Sequence, residues 1–266
     1  MVRGTPPLAV ALGAVLGLAV CLFMLAPLAI VVLSSFSASE FLVFPPRGLS
    51  LRWYDEILRS SAYLGAAWLS LKLAIVVTIV SVAIGASAAI AITRHQVPGR
   101  EALAGLFLSP LVMPTLLLGI GLLMVFSQYL NGTSFWALVT GHVVVTVPYV
   151  VRTVAATLAR ADRSVEEAAR VMGAPWWRRY WHVVLPQARA GLAAGAFFAF
   201  NVSFDEAVVA LFLRAPGVET LPLLIYGKLE FSPDPSVAAA ATLMILMTVL
   251  VMIALDRAIG LERVAA

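Results

Sequence analysis

The chain has 266 residues, of which 62% are hydrophobic and 12% are charged. Soluble globular domains contain about 45 to 50% apolar and about 25% charged residues, so this composition excludes a soluble enzyme and predicts a protein of the lipid bilayer. The formal net charge is +4. It comes from basic residues beside the apolar stretches, which is typical of membrane topology and does not indicate nucleic-acid binding.

Six apolar stretches are long enough to cross a bilayer, which takes about 20 residues. They predict an all-α, polytopic membrane protein with six transmembrane helices. No fixed-period repeat or low-complexity linker separates them, so residues 1–266 are predicted to form a single membrane domain. In chain order the stretches are Leu8–Leu33, Leu64–Ile92, Leu103–Phe126, Ala137–Leu158, Gly191–Leu213 and Val237–Leu255.

The first stretch is predicted to be an uncleaved helix, because it is longer than the 7 to 15 residues of a signal-peptide core. It contains the single cysteine, Cys21, which we interpret as a small packing residue. Gly13 and Gly17 are four residues apart in this stretch, and Gly191 and Gly195 are four residues apart in the fifth. This spacing favours close helix contacts within the bundle or with a second subunit.

Prolines predict irregular helices in the third and fourth stretches. Pro110 and Pro114 are expected to kink the third helix, and Pro148 the fourth, since neighbouring groups can satisfy the freed backbone in a membrane bundle. Such breaks often border a transport path and also occur as inert kinks, and both interpretations stay open.

The most polar segment lies between the fourth and fifth stretches. Ser164 is predicted to cap a short helix, with Glu167 completing a capping box and Gly173 ending the helix in the left-handed conformation. Residues Ala174 to His182 are rich in Trp, Tyr and Arg and predict a second helix at the headgroup layer. Pro186 is expected to interrupt the chain before the next span.

Basic residues predict the orientation, because Lys and Arg beside spans stay in the cytoplasm. Both termini and the Glu167 segment are therefore predicted to be cytoplasmic, in the inner membrane of a bacterial cell. The predicted cytoplasmic residues are Arg3, Arg94, Arg100, Arg152, Arg160, Arg163, Arg170, Arg178, Arg179, Arg189, Arg257 and Arg263; the predicted external ones are Arg47, Arg52, Arg59, Arg214 and Lys228.

Polar residues occur unexpectedly in the fifth stretch, at Asn201, Ser203, Asp205 and Glu206. A carboxylate near the bilayer centre costs about 2.5 to 3.5 kcal/mol, so it marks a path or a partner. Adjacent helical residues diverge by about 100°, so one carboxylate is expected to face a pathway and the other a neighbouring helix, where Lys72 or a partner subunit is the candidate counter-ion. A buried ion pair that only fixes packing is the alternative.

Signatures of catalysis are missing from the sequence. There is no Gly-x-Ser-x-Gly, His-Glu-x-x-His or phosphate-binding loop. His95, His142 and His182 lack neighbouring ligands at metal-binding spacing. The chain is therefore predicted to be no enzyme, with no metal and no cofactor.

The segment Glu167-Ala168-Ala169, followed by Gly173 and later by Leu185-Pro186, resembles the EAA loop of the membrane subunits of ATP-binding-cassette importers, with Val183 in place of Ile as its one departure. The resemblance implies a cytoplasmic coupling helix between helices 4 and 5 that inserts into a separate ATPase. The implied coupling residues are Glu166, Glu167, Ala168, Ala169, Gly173, Ala174, Leu185 and Pro186.

Further segments, including Ser203-Phe204-Asp205-Glu206, Thr220-Leu221-Pro222 and Pro148-Tyr149, resemble permeases of the spermidine and putrescine importer family. The resemblance implies a non-catalytic permease subunit that takes up polyamines. It also implies three partners: an ATPase dimer, a second permease subunit and an extracytoplasmic binding protein. The alternatives are an importer permease for another small organic solute, such as an opine or a phosphonate, and an ion-coupled secondary transporter.

Overall fold

The computed structural model describes residues 7–95, 98–130 and 132–259. These residues are predominantly helical and form no extended strand, which confirms the all-α prediction. They group into two compact units, one within Met1–Leu64 and Gly227–Leu246, the other within Gly65–Tyr226 and Met247–Ala266. Arg3 and Arg263, which contribute to the predicted orientation, lie outside the described residues.

In the described ranges, five single helices are long and apolar enough to cross a membrane, and a bent pair raises the number to six. The first, second, fourth and sixth predicted stretches are confirmed as single helices. The α-helices in the described part of the chain are α1 Pro7–Ser34, α2 Arg52–Arg59, α3 Ser61–Arg94, α4 Arg100–Leu108, α5 Thr115–Tyr129, α6 Phe135–Arg160, α7 Ser164–Val171, α8 Trp176–Arg179, α9 Leu185–Asp205, α10 Val208–Leu213, α11 Leu221–Phe231 and α12 Pro235–Ile259.

The third stretch is not one straight helix. After α4 the chain makes a 3-10 turn at Ser109–Leu111 and restarts as α5, and the two axes differ by 102°. Pro110 and Pro114 lack backbone donors, and Pro114 disfavours helical backbone at Met113, so a complete break replaces the predicted kink. In contrast, α6 continues through Pro148.

The fifth stretch was predicted wrongly at both ends. Helix α8, the π-helical segment Tyr180–Val184 and α9 form one continuous helix from Trp176 to Asp205. It starts before the predicted Gly191, ends before the predicted Leu213 and is not interrupted at Pro186. The π-helical segment Tyr180–Val184 lies directly before α9, where Leu185 N–H donates to the Tyr180 carbonyl. This wider turn shifts the hydrogen-bond pattern just ahead of the proline, which is how a membrane helix accommodates the missing donor.

The first unit contains the short amphipathic helix α2. Trp53 and Ile57 on α2 are buried, and Trp53 Nε1 donates to the Ser37 carbonyl at 2.9 Å. The hydroxyls of Tyr63 and Ser236 are hydrogen-bonded at 2.8 Å. Cys21 is exposed on α1, so its interpretation as a packing residue is wrong for contacts within this chain.

The second unit is built around the contact between α6 and α9. A Cβ on Gly191 would lie 2.7 Å from the Thr153 carbonyl oxygen, and one on Gly195 would lie 3.1 Å from the Val150 Cα. The close contact predicted from the glycine spacing is therefore confirmed for α9. A Cβ on Gly13 or Gly17 would meet nothing within 4 Å, so their contact with a second subunit stays a prediction.

Candidate coupling segment and pathway residues

The helix α7 ends in a Schellman motif. Gly173 has φ +79°, its N–H donates to the Arg170 carbonyl, and Ala174 N–H donates to the Ala169 carbonyl, both at 3.0 Å. These two bonds satisfy carbonyls that the end of the helix leaves free. The left-handed stop predicted at Gly173 is thus confirmed, and it redirects the chain toward α8.

The start of α7 differs from the predicted capping box. Ser164 is the first helical residue, and its side chain caps no backbone N–H. Its backbone N–H and its hydroxyl instead donate to the two carboxylate oxygens of Asp162, both at 2.8 Å. These bonds favour the charged carboxylate and lower the pKa of Asp162. The predicted capping role of Ser164 is therefore wrong, and Asp162 instead accepts the backbone N–H of the first helical residue.

The inner side of α7, which carries Glu166, Glu167 and Arg170, is connected by side-chain contacts to the last residue of α3 and to α9. Glu166 Oε2 lies 3.6 Å from Arg94 Nε, at the last residue of α3, and the Arg94 side chain is 3% exposed. Arg94 Nη2 donates to Gln187 Oε1 of α9 at 3.3 Å, and Gln187 Nε2 donates to the Asp162 carbonyl at 3.1 Å. These contacts connect α7 and the turn before it with the last residue of α3 and with α9.

The opposite side of α7 is apolar and uncovered. Val171 and Met172 are 85% and 84% exposed, Val165 is 49% exposed, and Ala168 is exposed. At about 100° per residue, these four positions span about a third of the helix circumference, and Glu166, Glu167 and Arg170 lie on the other side. We call Val165, Ala168, Val171 and Met172 the exposed α7 face.

The remaining predicted coupling residues do not share one surface. Glu167, Gly173 and Pro186 are exposed. Ala169 and Ala174 are half-buried, and Leu185 packs against the core cluster that includes Val184 and Ala188. Leu185 therefore belongs to the body of the bundle, whereas Glu167, Gly173 and Pro186 are accessible.

The four predicted pathway residues have different surroundings. Ser203 is buried, with its Oγ 3.0 Å from His142 Nδ1 of α6. Asn201 accepts a hydrogen bond from Thr248 of α12 at 2.9 Å. Both residues therefore join helices.

The two carboxylates at the end of α9 have different roles. Glu206 Oε1 accepts the backbone N–H groups of Val208 and Val209, at 2.9 and 3.1 Å, and so caps α10. Asp205 is exposed where α9 ends, and the described residues offer its side chain no hydrogen bond or ion pair.

The suggested ion pair with Lys72 does not form. Lys72 Nζ lies 4.8 Å from the centre of the Phe135 ring, which is a cation–π contact. Of the two carboxylates, Asp205 is therefore the one available to a solute or a partner subunit.

The structure also shows a polar network that the sequence interpretation missed. Thr146 donates to the His142 carbonyl at 2.8 Å, and the Thr146 and Ser81 hydroxyls are hydrogen-bonded at 2.7 Å. Together with Ser203, these buried groups connect α3, α6 and α9. The available signal was the spacing of four between His142 and Thr146, which places two polar side chains on one face of an apolar helix.

The family match covers most of the chain. Residues 81–260 match the family described as binding-protein-dependent transport system inner membrane component. The putrescine transport system permease protein PotI of Escherichia coli (strain K12) is 32% identical over 230 residues, which cover 84% of this chain and 82% of PotI. The spermidine/putrescine transport system permease protein PotC of the same organism is 30% identical over 236 residues, 89% of each chain.

A solved structure has the same fold. It is a bacterial alginate ABC transporter in complex with an alginate pentasaccharide-bound periplasmic protein, with a TM-score of 0.73, 14% identity and coverage of 93% of each chain. At this identity the likeness shows the fold alone. The family match and the two permease relatives are the stronger findings, and they establish that this chain belongs to the binding-protein-dependent transport system inner membrane components.

Proposed function

We propose that the chain is one permease subunit of a bacterial ABC importer for polyamines. It forms half of a translocation pathway with a second permease subunit. A separate ATPase dimer drives it, and an extracytoplasmic binding protein delivers spermidine or putrescine. The observation that carries the proposal is the exposed α7 face, an apolar surface on the most polar segment of a membrane protein of this family.

The geometry around α7 supports coupling to a partner. Exposed apolar residues that lie together on a surface commonly mark a protein interaction site. On the opposite side, Glu166 contacts Arg94, and Arg94 contacts Gln187, so the segment has one face for a partner and one face attached to α3 and α9. A force that a partner exerts on the exposed α7 face would be transmitted to α3 and α9 through these side chains. Such transmission suits a permease subunit that alternates between two conformations.

The orientation follows from this assignment. The exposed α7 face is proposed to be cytoplasmic, in agreement with the excess of arginine beside it, and both termini lie on the same side. The segments 47–59 and 214–234 are then external and available to the binding protein. Membrane-impermeant maleimide tests this in a Cys21→Ser background: Met172→Cys should react only in inverted vesicles and Leu49→Cys only in right-side-out vesicles. Labelling of both from one side would contradict the orientation.

Polyamine is proposed as the cargo because PotI and PotC are named for putrescine and spermidine transport. Asp205 supports the proposal, since an exposed carboxylate at the end of a membrane helix would stabilise an ammonium group that has lost part of its hydration. Uptake of radiolabelled putrescine by vesicles that contain the complete importer tests this. Competition by spermidine is expected, and uptake of a phosphonate in place of polyamine would contradict it.

The coupling assignment is tested by placing a charge on the exposed α7 face. Met172→Asp is expected to abolish co-purification with the ATPase and ATP-driven uptake while membrane insertion stays normal, because a desolvated carboxylate opposes an apolar interface. Phe41→Asp is the matched control, since Phe41 is 71% exposed and lies outside both segments proposed for the binding protein. Normal assembly of the Met172 variant, or uptake without any ATPase, would contradict the proposal and favour a secondary transporter.

A further inference from the structure

A cavity of about 110 Å³ lies beneath the inner side of α7. Six charged side chains line it: Arg94, Arg163, Arg170, Arg179, Glu166 and Glu167. Four guanidinium groups face two carboxylates, so the lining carries a net charge of +2. The residues come from α3, α7, α8 and the turn before α7, which means that one ligand could contact all of these segments at once.

Individual guanidinium nitrogen atoms of Arg94 and Arg179, both of which line this cavity, are buried without an acceptor in the described chain. The Arg94 side chain is 3% exposed. Among residues 7–95, 98–130 and 132–259, its Nε and Nη1 have no hydrogen-bond partner, nor does the buried Nε of Arg179. Glu166 at 3.6 Å is too distant to accept a hydrogen bond from Arg94 Nε. Buried N–H groups without partners reduce the free energy of unfolding, so their presence indicates that a ligand with acceptor atoms binds here.

The charge and the volume together favour an anion over water alone. Water occupies about 30 Å³ per molecule in the liquid, so the cavity has room for a larger group. Water could accept these hydrogen bonds but would not neutralise the excess positive charge. A phosphate oxyanion supplies several acceptor oxygens and a negative charge, and guanidinium groups bind such oxygens with two parallel hydrogen bonds.

We infer that this cavity binds a phosphate-type oxyanion and thereby locks α7 against α3 and α8. Two sources share that chemistry, free phosphate and the headgroup of an anionic phospholipid. The lipid source is within reach, because Trp176 and Trp181 are 73% and 63% exposed and such aromatic residues lie at the headgroup layer. This inference concerns ligand binding by the chain itself and does not depend on the proposed cargo.

Thermal unfolding of the purified full-length chain tests the inference with two probes. The first is inorganic phosphate in detergent, compared with chloride at equal ionic strength. The second is a nanodisc of phosphatidylcholine, compared with one that also contains phosphatidylglycerol. We expect at least one probe to raise the midpoint of unfolding, and calorimetric titration of the active probe into Arg179→Gln should show at least a tenfold loss of affinity.

The neighbouring Arg178 provides the control. It lies outside the cavity lining and stacks on Trp177 at 5.2 Å, so Arg178→Gln should keep the wild-type affinity. If Arg179→Gln does not fold, Arg170→Gln replaces it, because Arg170 also lines the cavity but is exposed.

A response to phosphate in detergent identifies the free anion, whereas a response only to phosphatidylglycerol identifies the lipid. The inference is overturned if neither probe stabilises the wild type, or if the lining variants match Arg178→Gln. It is also overturned if neither probe binds and Arg179→Gln loses only ATPase binding. The arginine side chains would then bind a carboxylate of the ATPase in place of a phosphate-type oxyanion.

Discussion

His142 Nδ1 and Ser203 Oγ are hydrogen-bonded at 3.0 Å across the contact between α6 and α9. His142 is 1% exposed, and its Nε2 has no hydrogen-bond partner in the described chain. The Ser203 hydroxyl is thus the side-chain partner of a buried ring. This bond holds the end of α9, where Asp205 is exposed, against the core of the second unit.

Ser203→Ala is expected to lower the unfolding midpoint of the detergent-purified protein. The substitution removes the bond to His142, and interhelical hydrogen bonds in membrane proteins contribute about 0.6 to 1.7 kcal/mol. Ser87→Ala is the matched control, because Ser87 is exposed and its hydroxyl donates to the Ala83 carbonyl of its own helix. Equal midpoints for the two variants would show that the His142 contact contributes no measurable stability.

Gly191→Ala is expected to destabilise the protein by about 1 to 3 kcal/mol, as overpacking typically does. The added Cβ would lie 2.7 Å from the Thr153 carbonyl, a backbone atom that cannot rotate away. Gly121→Ala adds the same atom to α5 where nothing lies within 4 Å, so it should be neutral or stabilising. Thermal unfolding followed by size-exclusion chromatography measures both, and tolerance of Gly191→Ala would mean that α6 and α9 can separate at little cost.

Gly173→Val is expected to weaken the end of α7, although a Cβ there would meet nothing within 4 Å. The cost is conformational: left-handed backbone at φ +79° costs a residue with a Cβ roughly 1 to 2 kcal/mol. Gly173→Asn should behave closer to the wild type, because asparagine tolerates this region. Limited proteolysis between Ser164 and His182 should be faster in the valine variant, and indistinguishable digestion of the two variants would contradict the conformational explanation.

Substitutions of Asp205 and of Glu206 are expected to have different effects on uptake and on stability. Asp205→Asn is expected to reduce polyamine uptake with little change in unfolding midpoint, because the structure shows no partner for this side chain among the described residues. Glu206→Gln keeps an oxygen that can cap Val208 and Val209, so both stability and uptake should stay close to wild type.

Glu206→Ala removes that cap and should cost about 1 kcal/mol. Vesicle uptake and thermal unfolding, measured on all three variants, distinguish the roles. A destabilised Asp205→Asn with unchanged specific uptake would assign Asp205 to packing, and loss of uptake in Glu206→Gln would place the second carboxylate in the pathway.

The largest errors of the sequence interpretation have a common origin. Pro186 was expected to interrupt the chain before the fifth span and Pro114 only to kink a helix. In the structure the helix continues through Pro186, whereas the chain breaks between Leu111 and Thr115. The effect of a proline depends on whether neighbouring turns can redirect the freed hydrogen bonds, as the π-helical segment does before Pro186. Such compensation is not visible in the local residue pattern.

The sequence by itself determined the membrane class, four of the spans, the left-handed stop at Gly173 and the close approach at Gly191. Each depends on local composition or on a residue with one strong conformational preference. Only the tertiary structure decided which polar side chains meet. Arg94 and Glu166 are 72 positions apart in the sequence, and His142 and Ser203 are 61 apart. Such pairs form because folding brings distant helices into contact, and a buried polar group must then form its hydrogen bond with a residue of the neighbouring helix.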